Sequence, residues 1–180
     1  MKIEKTFINN LLVLQPRVFE DNRGYFFESY NKKALEKLIK IEFIQDNESL
    51  SQKNVLRGLH FQAPPYSQDK LVRVISGSIL DIVVDLRKKE KTYGKYFAIE
   101  LSAKNKKQLF IPKGFAHGFL TLENNTIFSY KCSDYYHPES EECINCFDKY
   151  LNIDWKASNV ILSEKDKKGM NFCDFESPFK

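Results

Sequence analysis

The sequence is poor in the residues that most often build metal and disulfide frameworks, and it has no long apolar run. Its 180 residues include only 3 histidines and 4 cysteines. No apolar stretch approaches the roughly 20 residues of a membrane span, and the charged start of the chain is followed by no signal-peptide core. We therefore predict a soluble protein of the cytoplasm with no membrane partner. Thiols stay reduced in that compartment, so all cysteines are expected to be free.

Several large functional classes lack their sequence signals. The formal net charge is only +4, and lysines are interleaved with acids rather than gathered into the basic stripe of a nucleic-acid-binding protein. There is no glycine-rich phosphate loop or dinucleotide fingerprint, and no Gly-x-Ser-x-Gly motif of a serine nucleophile. We predict no nucleic-acid partner, and any phosphate would have to be held by side-chain cations.

A bound metal is also not expected. Cys143 and Cys146 form a Cys-x-x-Cys pair with no second pair to complete a zinc site. A barrel metal centre built on His-x-His is broken, because Gln62 stands two residues after His60. The sequence therefore predicts no metal and no cofactor.

The pattern of apolar residues favours strands. The 15 phenylalanines and 9 tyrosines suit β-structure, and short β-type runs are separated by clusters of Gly, Pro, Asn and Lys. One helix is indicated, capped by Asn31 with Leu35, Leu38 and Ile39 as its apolar stripe, and a weaker one at 163–168. We predict one all-β domain over residues 1–180, an antiparallel sandwich or barrel with a few short helices. The predicted strands are 6–14, 25–30, 43–51, 55–62, 70–75, 78–86, 96–102, 108–111, 116–122 and 126–133.

The predicted strand at 78–86 has an unusual face. Asp81 and Asp85 alternate with apolar residues on one side of it. Such a face suits the wall of a ligand cavity, and a plain solvent face is the competing interpretation.

The run 55–62 holds the best candidate for chemistry. Histidine moves protons near neutral pH, and His60 lies on a strand with Arg57 three residues before it. Proton abstraction beside a carbonyl needs a base, an opposing acid and a cation for the enolate oxygen. His60, Tyr130 and either Lys70 or Arg57 could supply these, although a core histidine and a structural tyrosine are ordinary alternatives.

The spacing of Arg57 and His60 adds a structural prediction. In a regular strand, residues three apart point to opposite faces. Gly58 can permit a bulge that re-aims one of the two side chains. We therefore predict an irregularity at Gly58.

Segments along nearly the whole chain resemble one enzyme family. They include VFEDNRGYFFES at 18–29, FIQDNES at 43–49, VLRGLHFQ at 55–62, KLVR at 70–73, QLFIPKGFAHGF at 108–119, YKCSDYYHPESE at 130–141 and LSEKD at 162–166. In order and spacing the chain resembles the dTDP-4-dehydrorhamnose 3,5-epimerase family, whose members act on nucleotide-linked 4-keto-6-deoxy sugars. Gln68-Asp69 stands where Gln-Gly is usual, which could alter a loop near the site.

The resemblance implies a fold, an activity and an assembly. The fold is a cupin-like jelly-roll barrel, and the protein is a homodimer. The activity is a metal-independent isomerase reaction that converts a dTDP-4-dehydro-6-deoxyglucose-type sugar to dTDP-4-dehydro-L-rhamnose. An enzyme that inverts only C3 or only C5, one that uses another nucleotide, a metal-dependent cupin and a non-catalytic sugar-nucleotide binder stay open as alternatives.

The resemblance also implies residue roles. His60 would be the base with Asp166 as its partner, Tyr130 the acid, and Lys70 the cation at the C4 oxygen. Arg57 would contact the diphosphate, and Tyr136 would stack on the nucleotide base. Further implied contacts to the substrate are Gln45, Asn47, His117, Glu141 and Lys165. Arg23 and Glu28 belong to an N-terminal region that would reach the site of the neighbouring subunit.

Overall fold

The computed structural model describes residues 1–37 and 39–180, and nearly all of its regular structure is antiparallel β-sheet. Leu38, which the predicted helical stripe included, lies outside the described residues. The strands are β1 (Lys2–Lys5), β2 (Leu12–Gln15), β3 (Phe19–Asp21), β4 (Gly24–Phe26), β5 (Gln45–Ser51), β6 (Leu56–Gln62), β7 (Lys70–Ser76), β8 (Ser78–Asp85), β9 (Tyr96–Ser102), β10 (Gln108–Ile111), β11 (Phe115–Thr121), β12 (Thr126–Cys132) and β13 (Glu141–Cys143).

Two sheets form the body of the protein. One has the order β1-β2-β10-β7-β12-β5, the other has the order β13-β6-β11-β8-β9, and β3 and β4 form a separate hairpin. Neighbouring strands in each sheet run antiparallel, as in β7 with β12 and β8 with β11. This arrangement confirms the predicted all-β, cupin-like jelly-roll fold. No helix in the described part of the chain is both long and apolar enough to cross a membrane.

The space between the sheets is filled by aromatic and branched side chains. Phe119 on β11 and Phe128 on β12 come from different sheets, and their ring centroids are 4.3 Å apart. Val72, Val83 and Leu109 belong to the same buried cluster. Burial of this apolar surface holds the two sheets in a fixed relation.

Strand β8 is buried on both faces. Ile82 and Val84 pack in a second cluster with Trp155, which lies in the C-terminal segment. Asp81 and Asp85 face the other way and are fully buried, so the solvent-face interpretation of this strand is wrong. Asp85 is not part of a cavity wall either, because its carboxylate accepts hydrogen bonds from Arg87 and Thr92.

The helices are short, as expected. The Asn31 side chain accepts a hydrogen bond from the Ala34 amide (3.1 Å) and caps the single-turn helix α1 (Lys32–Leu35). The predicted second helical region contains a 3₁₀ turn at Asp166–Lys168. Two further 3₁₀ turns are described at Pro138–Ser140 and Phe172–Asp174.

The predicted strand at 6–14 is wrong, since a turn divides it. The Thr6 hydroxyl donates to the carbonyls of Ile8 and Leu11, and Asn10 adopts a φ of 66°. Asparagine tolerates this left-handed conformation, so an apolar run can fold back on itself here. The sequence also gave no signal for β3 or β13, which are only three residues long.

Strand β6 contains the predicted irregularity. Arg57 pairs with Phe119 and His60 pairs with His117, so β6 has one residue more than β11 between the two pairs. Gly58 adopts a φ of 116°, and the peptide bond between Gly58 and Leu59 is cis. The prediction of a bulge at Gly58 is confirmed.

Candidate active site

A cavity with two adjoining lobes opens between the sheets. Lobes of about 320 Å³ and 300 Å³ share His60, Lys70 and Tyr130 in their walls. The first lobe is also lined by the predicted residues Gln45, Asn47, Tyr136 and Glu141. The second lobe is also lined by the predicted residues Arg57, His117, Lys165 and Asp166.

His60 and Asp166 form a close pair. Nε2 of His60 lies 2.5 Å from Oδ1 of Asp166, and Ser163 Oγ donates to Oδ2 of the same carboxylate at 2.7 Å. Burial acts to raise the pKa of Asp166, but the hydrogen bonds from His60 and Ser163 outweigh it and hold the pKa below its ordinary value. An ionised carboxylate can only accept, so Nε2 of His60 carries the proton. Nδ1 is then the nitrogen that can accept a proton from a substrate.

Tyr130 and Lys70 come from the opposite wall. Tyr130 pairs with Val72 on β7 and with Asn47 on β5, whereas His60 belongs to the other sheet. Burial, with smaller contributions from Cys132 and Glu141, raises the pKa of Tyr130 to about 12. The phenol therefore stays protonated near neutral pH and can donate a proton or a hydrogen bond.

Lys70 is a half-buried cation on the cavity wall. Burial lowers the pKa of Lys70. Electrostatic attraction to Cys132, Glu141 and Asp81 acts in the opposite direction but is smaller. The Nζ atom lies 6.0 Å from the centroid of the Tyr130 ring. A poorly hydrated ammonium gains from a nearby anion, so this position suits an oxygen on which negative charge develops.

A second histidine–aspartate pair lies deeper. His117 Nε2 is 2.9 Å from Oδ2 of Asp81, and both side chains are buried. Oδ1 of Asp81 has no hydrogen-bond partner among the described residues. His117 lines the second lobe, so Asp81 orients a cavity residue from behind. Asp81 itself lines neither lobe, so the prediction that this strand face forms a cavity wall is wrong.

The mouth of the first lobe is a polar network. Glu141 accepts hydrogen bonds from the Tyr136 hydroxyl and from Lys165 Nζ. Burial acts to raise the pKa of Glu141, but these two donors lower it overall. Gln45 accepts from the backbone amide of Tyr136 at 3.0 Å and donates to Asn47 at 3.1 Å. Tyr136 is 50% exposed and lines this lobe.

Arg23 and Glu28 lie outside this cavity. Arg23 sits in the turn of the β3–β4 hairpin and pairs with Asp21 at 2.6 Å. Glu28 accepts a hydrogen bond from Asn31 at 2.9 Å. The two lobes are lined without either residue.

Other cavity residues were not singled out from the sequence. Gln62, Gln68 and Cys132 line the first lobe. Gln62 and Cys132 stand two residues after His60 and Tyr130, so the period of two along a strand could have placed them on the same wall. The Gln62 side-chain amide donates to the backbone carbonyls of Tyr66 and Tyr135 and so holds two loops together at the mouth of this lobe.

The described residues include one group that could hold a metal ion. Ligand atoms of His60, Cys143 and Asp166 all lie within 4.8 Å of one another. Burial, with a smaller contribution from Asp166, raises the pKa of Cys143 to about 12. The thiol is therefore protonated when no ion is bound. The expectation that the enzyme needs no metal stays a prediction.

Comparison with known proteins identifies the family. A family model described as dTDP-4-dehydrorhamnose 3,5-epimerase matches residues 5–174. The dTDP-4-dehydrorhamnose 3,5-epimerase of Shigella flexneri is 48% identical over 176 residues, which cover 97% of each chain. The crystal structure of the enzyme of that name from Elizabethkingia anophelis superposes with a TM-score of 0.92 at 47% identity, covering 97% of each chain.

A further solved structure is a dTDP-6-deoxy-D-glucose-3,5-epimerase from Legionella pneumophila in complex with dTDP-4-keto-L-rhamnose. It superposes with a TM-score of 0.94 at 45% identity and covers 97% of this chain and 94% of its own. With the jelly-roll fold and the cavity between its sheets, these likenesses define the protein as an isomerase. The chain belongs to the dTDP-4-dehydrorhamnose 3,5-epimerase family, which confirms the resemblance read from the sequence.

Proposed function

We propose that the enzyme inverts C3 and C5 of a dTDP-4-dehydro-6-deoxyglucose-type sugar and releases dTDP-4-dehydro-L-rhamnose. The observation that carries this proposal is the placement of His60 and Tyr130 on opposite sheets around one cavity. Inversion at carbon requires removal of a proton on one face and its return on the other. The related Legionella enzyme holds dTDP-4-keto-L-rhamnose, which supports a dTDP-linked substrate here.

His60 is the proposed base. Nδ1 removes the proton from the carbon next to the C4 carbonyl, first at C5 and then at C3. Asp166 keeps Nε2 in its donor form and stabilises the imidazolium that results. The proton on the substrate carbon becomes acidic enough to move because its electrons pass to the carbonyl oxygen, giving an enolate.

Lys70 and Tyr130 complete the proposed reaction. The Lys70 ammonium stabilises the enolate oxygen, and the Tyr130 hydroxyl returns a proton to the face opposite His60. The pKa of about 12 keeps this hydroxyl protonated before the reaction. None of these steps requires a metal or a cofactor.

The second lobe is the proposed diphosphate site. Arg57, His117 and Lys165 line it, and an arginine fork suits phosphate oxygens. Gln45, Asn47 and Glu141 are proposed to contact the sugar nucleotide in the first lobe, and the ring of Tyr136 to stack on the base. The whole chain, 1–180, acts as one domain in this proposal.

A homodimer is part of the proposal. The β3–β4 hairpin leaves Phe19, Tyr25 and Phe26 exposed at 51%, 56% and 68%, which is unusual for three neighbouring aromatic residues in water. We infer that this hairpin packs on a second copy of the chain and brings Arg23 and Glu28 toward the partner's cavity. Location in the cytoplasm stays a prediction.

Deuterium uptake tests the activity. The wild-type enzyme in deuterated water should place deuterium at C3 and C5 of dTDP-4-keto-6-deoxyglucose, as read by NMR, and His60→Asn should lose both exchanges. Near-normal exchange in His60→Asn would show that His60 is not the base. Deuterium at only one carbon would indicate a single-centre epimerase, and a preference for GDP-, UDP- or CDP-linked sugars would indicate a different nucleotide.

A further inference from the structure

Cys143 lies directly beside the pair formed by His60 and Asp166. Cys143 on β13 is the cross-strand partner of His60 on β6, and side chains of directly paired residues extend from the same face of a sheet. Ligand atoms of Cys143, His60 and Asp166 come within 4.8 Å of one another. The proposed reaction uses the imidazole and the carboxylate and gives the thiol no task.

The three donors match one class of ion. Zinc binds thiolate sulfur, imidazole nitrogen and carboxylate oxygen, and sites with three protein ligands keep a fourth position open. Magnesium and calcium take oxygen ligands instead, so this mixed set selects zinc and its close relatives. In a tetrahedral zinc site, sulfur and nitrogen ligands lie about 3.6 Å apart. That separation lies within the 4.8 Å that bounds the ligand atoms here, and the 2.5 Å between His60 Nε2 and Asp166 Oδ1 has to widen for both atoms to bind one ion.

The surrounding charges also suit a dication. The Asp166 carboxylate and a Cys143 thiolate together balance two positive charges, so a partly buried ion would leave no net charge behind. Lys165, whose charge acts on Cys143, is already paired with Glu141 and therefore offers less opposition to a cation.

We propose that His60, Cys143 and Asp166 bind a zinc ion that inhibits the enzyme. On binding, the Cys143 thiol loses its proton to solvent and its sulfur bonds to the ion. Nε2 of His60 also bonds to the ion, and its proton moves to Nδ1 as the ring changes tautomer. Nδ1 is the nitrogen that has to accept the substrate's proton, so the metal-bound enzyme has no base.

Cobalt provides a direct test of the ligand set, without substrate. Cobalt(II) added to the metal-free wild-type protein should give the absorption of a cobalt–thiolate bond, and zinc should displace it at one ion per chain. Cys143→Ser and His60→Asn should lose this absorption. Cys173→Ser is the matched control. The thiol of Cys173 is exposed and lies outside the three-residue group, so this variant should keep the absorption. Absence of the thiolate absorption from the wild-type protein would overturn the site without reliance on any variant.

The inhibitory role has its own test. Zinc should stop deuterium exchange by the wild-type enzyme, and a chelator should restore it. Cys143→Ser should be active without metal, and its zinc affinity and sensitivity should fall by about tenfold or more. Equal inhibition of Cys143→Ser and wild type would disprove the role of this thiol, and so would tight zinc binding with undiminished activity. Because metal binding is measured in the absence of sugar, a wrong substrate assignment would not affect the cobalt result.

Discussion

Arg57 and His60 face the same cavity because β6 contains one more residue than the strand beside it. Two residues separate Arg57 from His60, whereas only Gly118 separates their partners Phe119 and His117. The extra residue cancels one alternation of the strand and turns both side chains to the same side. The proposed phosphate-binding cation and the proposed base are thereby fixed on one rigid element, only three residues apart.

Replacement of Gly58 should disrupt this bulge. A Cβ atom at Gly58 would lie 2.6 Å from both the Gly118 Cα and the His117 carbonyl oxygen, and the φ of 116° is unfavourable for alanine. Gly58→Ala should lower the free energy of unfolding by about 3 kcal/mol, as measured by urea denaturation, and should also reduce epimerase activity.

Gly24→Ala is the control for Gly58→Ala. Gly24 has a similar φ of 129°, but no atom lies within 4 Å of its added Cβ. Its substitution should cost about 1 kcal/mol, from backbone strain with no clash inside the chain. Equal losses in the two variants would show that φ alone, and not the close approach to β11, requires glycine at position 58.

Tyr130→Phe should separate proton removal from inversion. His60 is intact in this variant, so exchange of the substrate C–H with solvent should persist, while formation of inverted product should fall by about 100-fold or more. NMR in deuterated water reports both rates. Tyr135→Phe, on an exposed tyrosine nearby, should behave as wild type. If inversion survives in Tyr130→Phe, another group is the acid.

Asp166 should make stability depend on pH in the acid range. Its pKa in the folded protein is below the ordinary 3.8, so the folded state favours the ionised form. The stabilisation is fully present above the unfolded pKa and is lost as pH falls through the lower, folded pKa. The free-energy difference between wild type and Asp166→Asn, from urea unfolding, should therefore shrink as pH is lowered through that window.

Asp154→Asn gives the matched comparison. The pKa of Asp154 is also lowered, through Lys156, but this ion pair is exposed to solvent and screened. Its pH-dependent contribution should be smaller than that of Asp166.

In the activity assay, Asp166→Asn should lower the rate by about 10² to 10⁴-fold, because His60 then loses the acceptor that fixes its tautomer. A rate close to wild type would remove Asp166 from the mechanism.

Mixing two defective variants should test the proposed exchange of N-terminal hairpins. If Arg23 completes the partner's cavity, Arg23→Ala and His60→Asn homodimers should each be impaired. In a mixed dimer, one cavity has His60 from one chain and Arg23 from the other. With random reassembly, half of the dimers are mixed and one of the two cavities in each mixed dimer is complete. Epimerase activity should therefore return to about a quarter of the wild-type level. If the mixture gives only the average of its two components, Arg23 does not act across the interface.

The sequence predicted strands best where alternation and turn residues agreed. The runs at 96–102 and 108–111 match β9 and β10 in full. The run at 6–14 failed because the Thr6 and Asn10 turn interrupts residues that are apolar enough to be a strand. Strand β13 gave no signal of its own, since it is defined by pairing with β6 rather than by its composition.

The candidate site was also only partly predictable from the sequence. His60 and Tyr130 could be suggested from chemistry and strand periodicity, and the Gly58 bulge from the spacing of Arg57 and His60. Asp166 lies 106 residues from His60, and nothing in its local sequence indicates that contact, so only the family resemblance named it. The position of Cys143 opposite His60 was equally hidden, because strand register is a property of the folded sheet.

The contact between Phe119 and Phe128 couples the packing of the core to the shape of the cavity. These rings join the sheet that holds the proposed base to the sheet that holds the proposed acid. A change of volume at either ring would shift one proposed proton-transfer group relative to the other. Because both rings also line the second lobe, the same two residues set the spacing of the sheets and the shape of the space open to the sugar nucleotide.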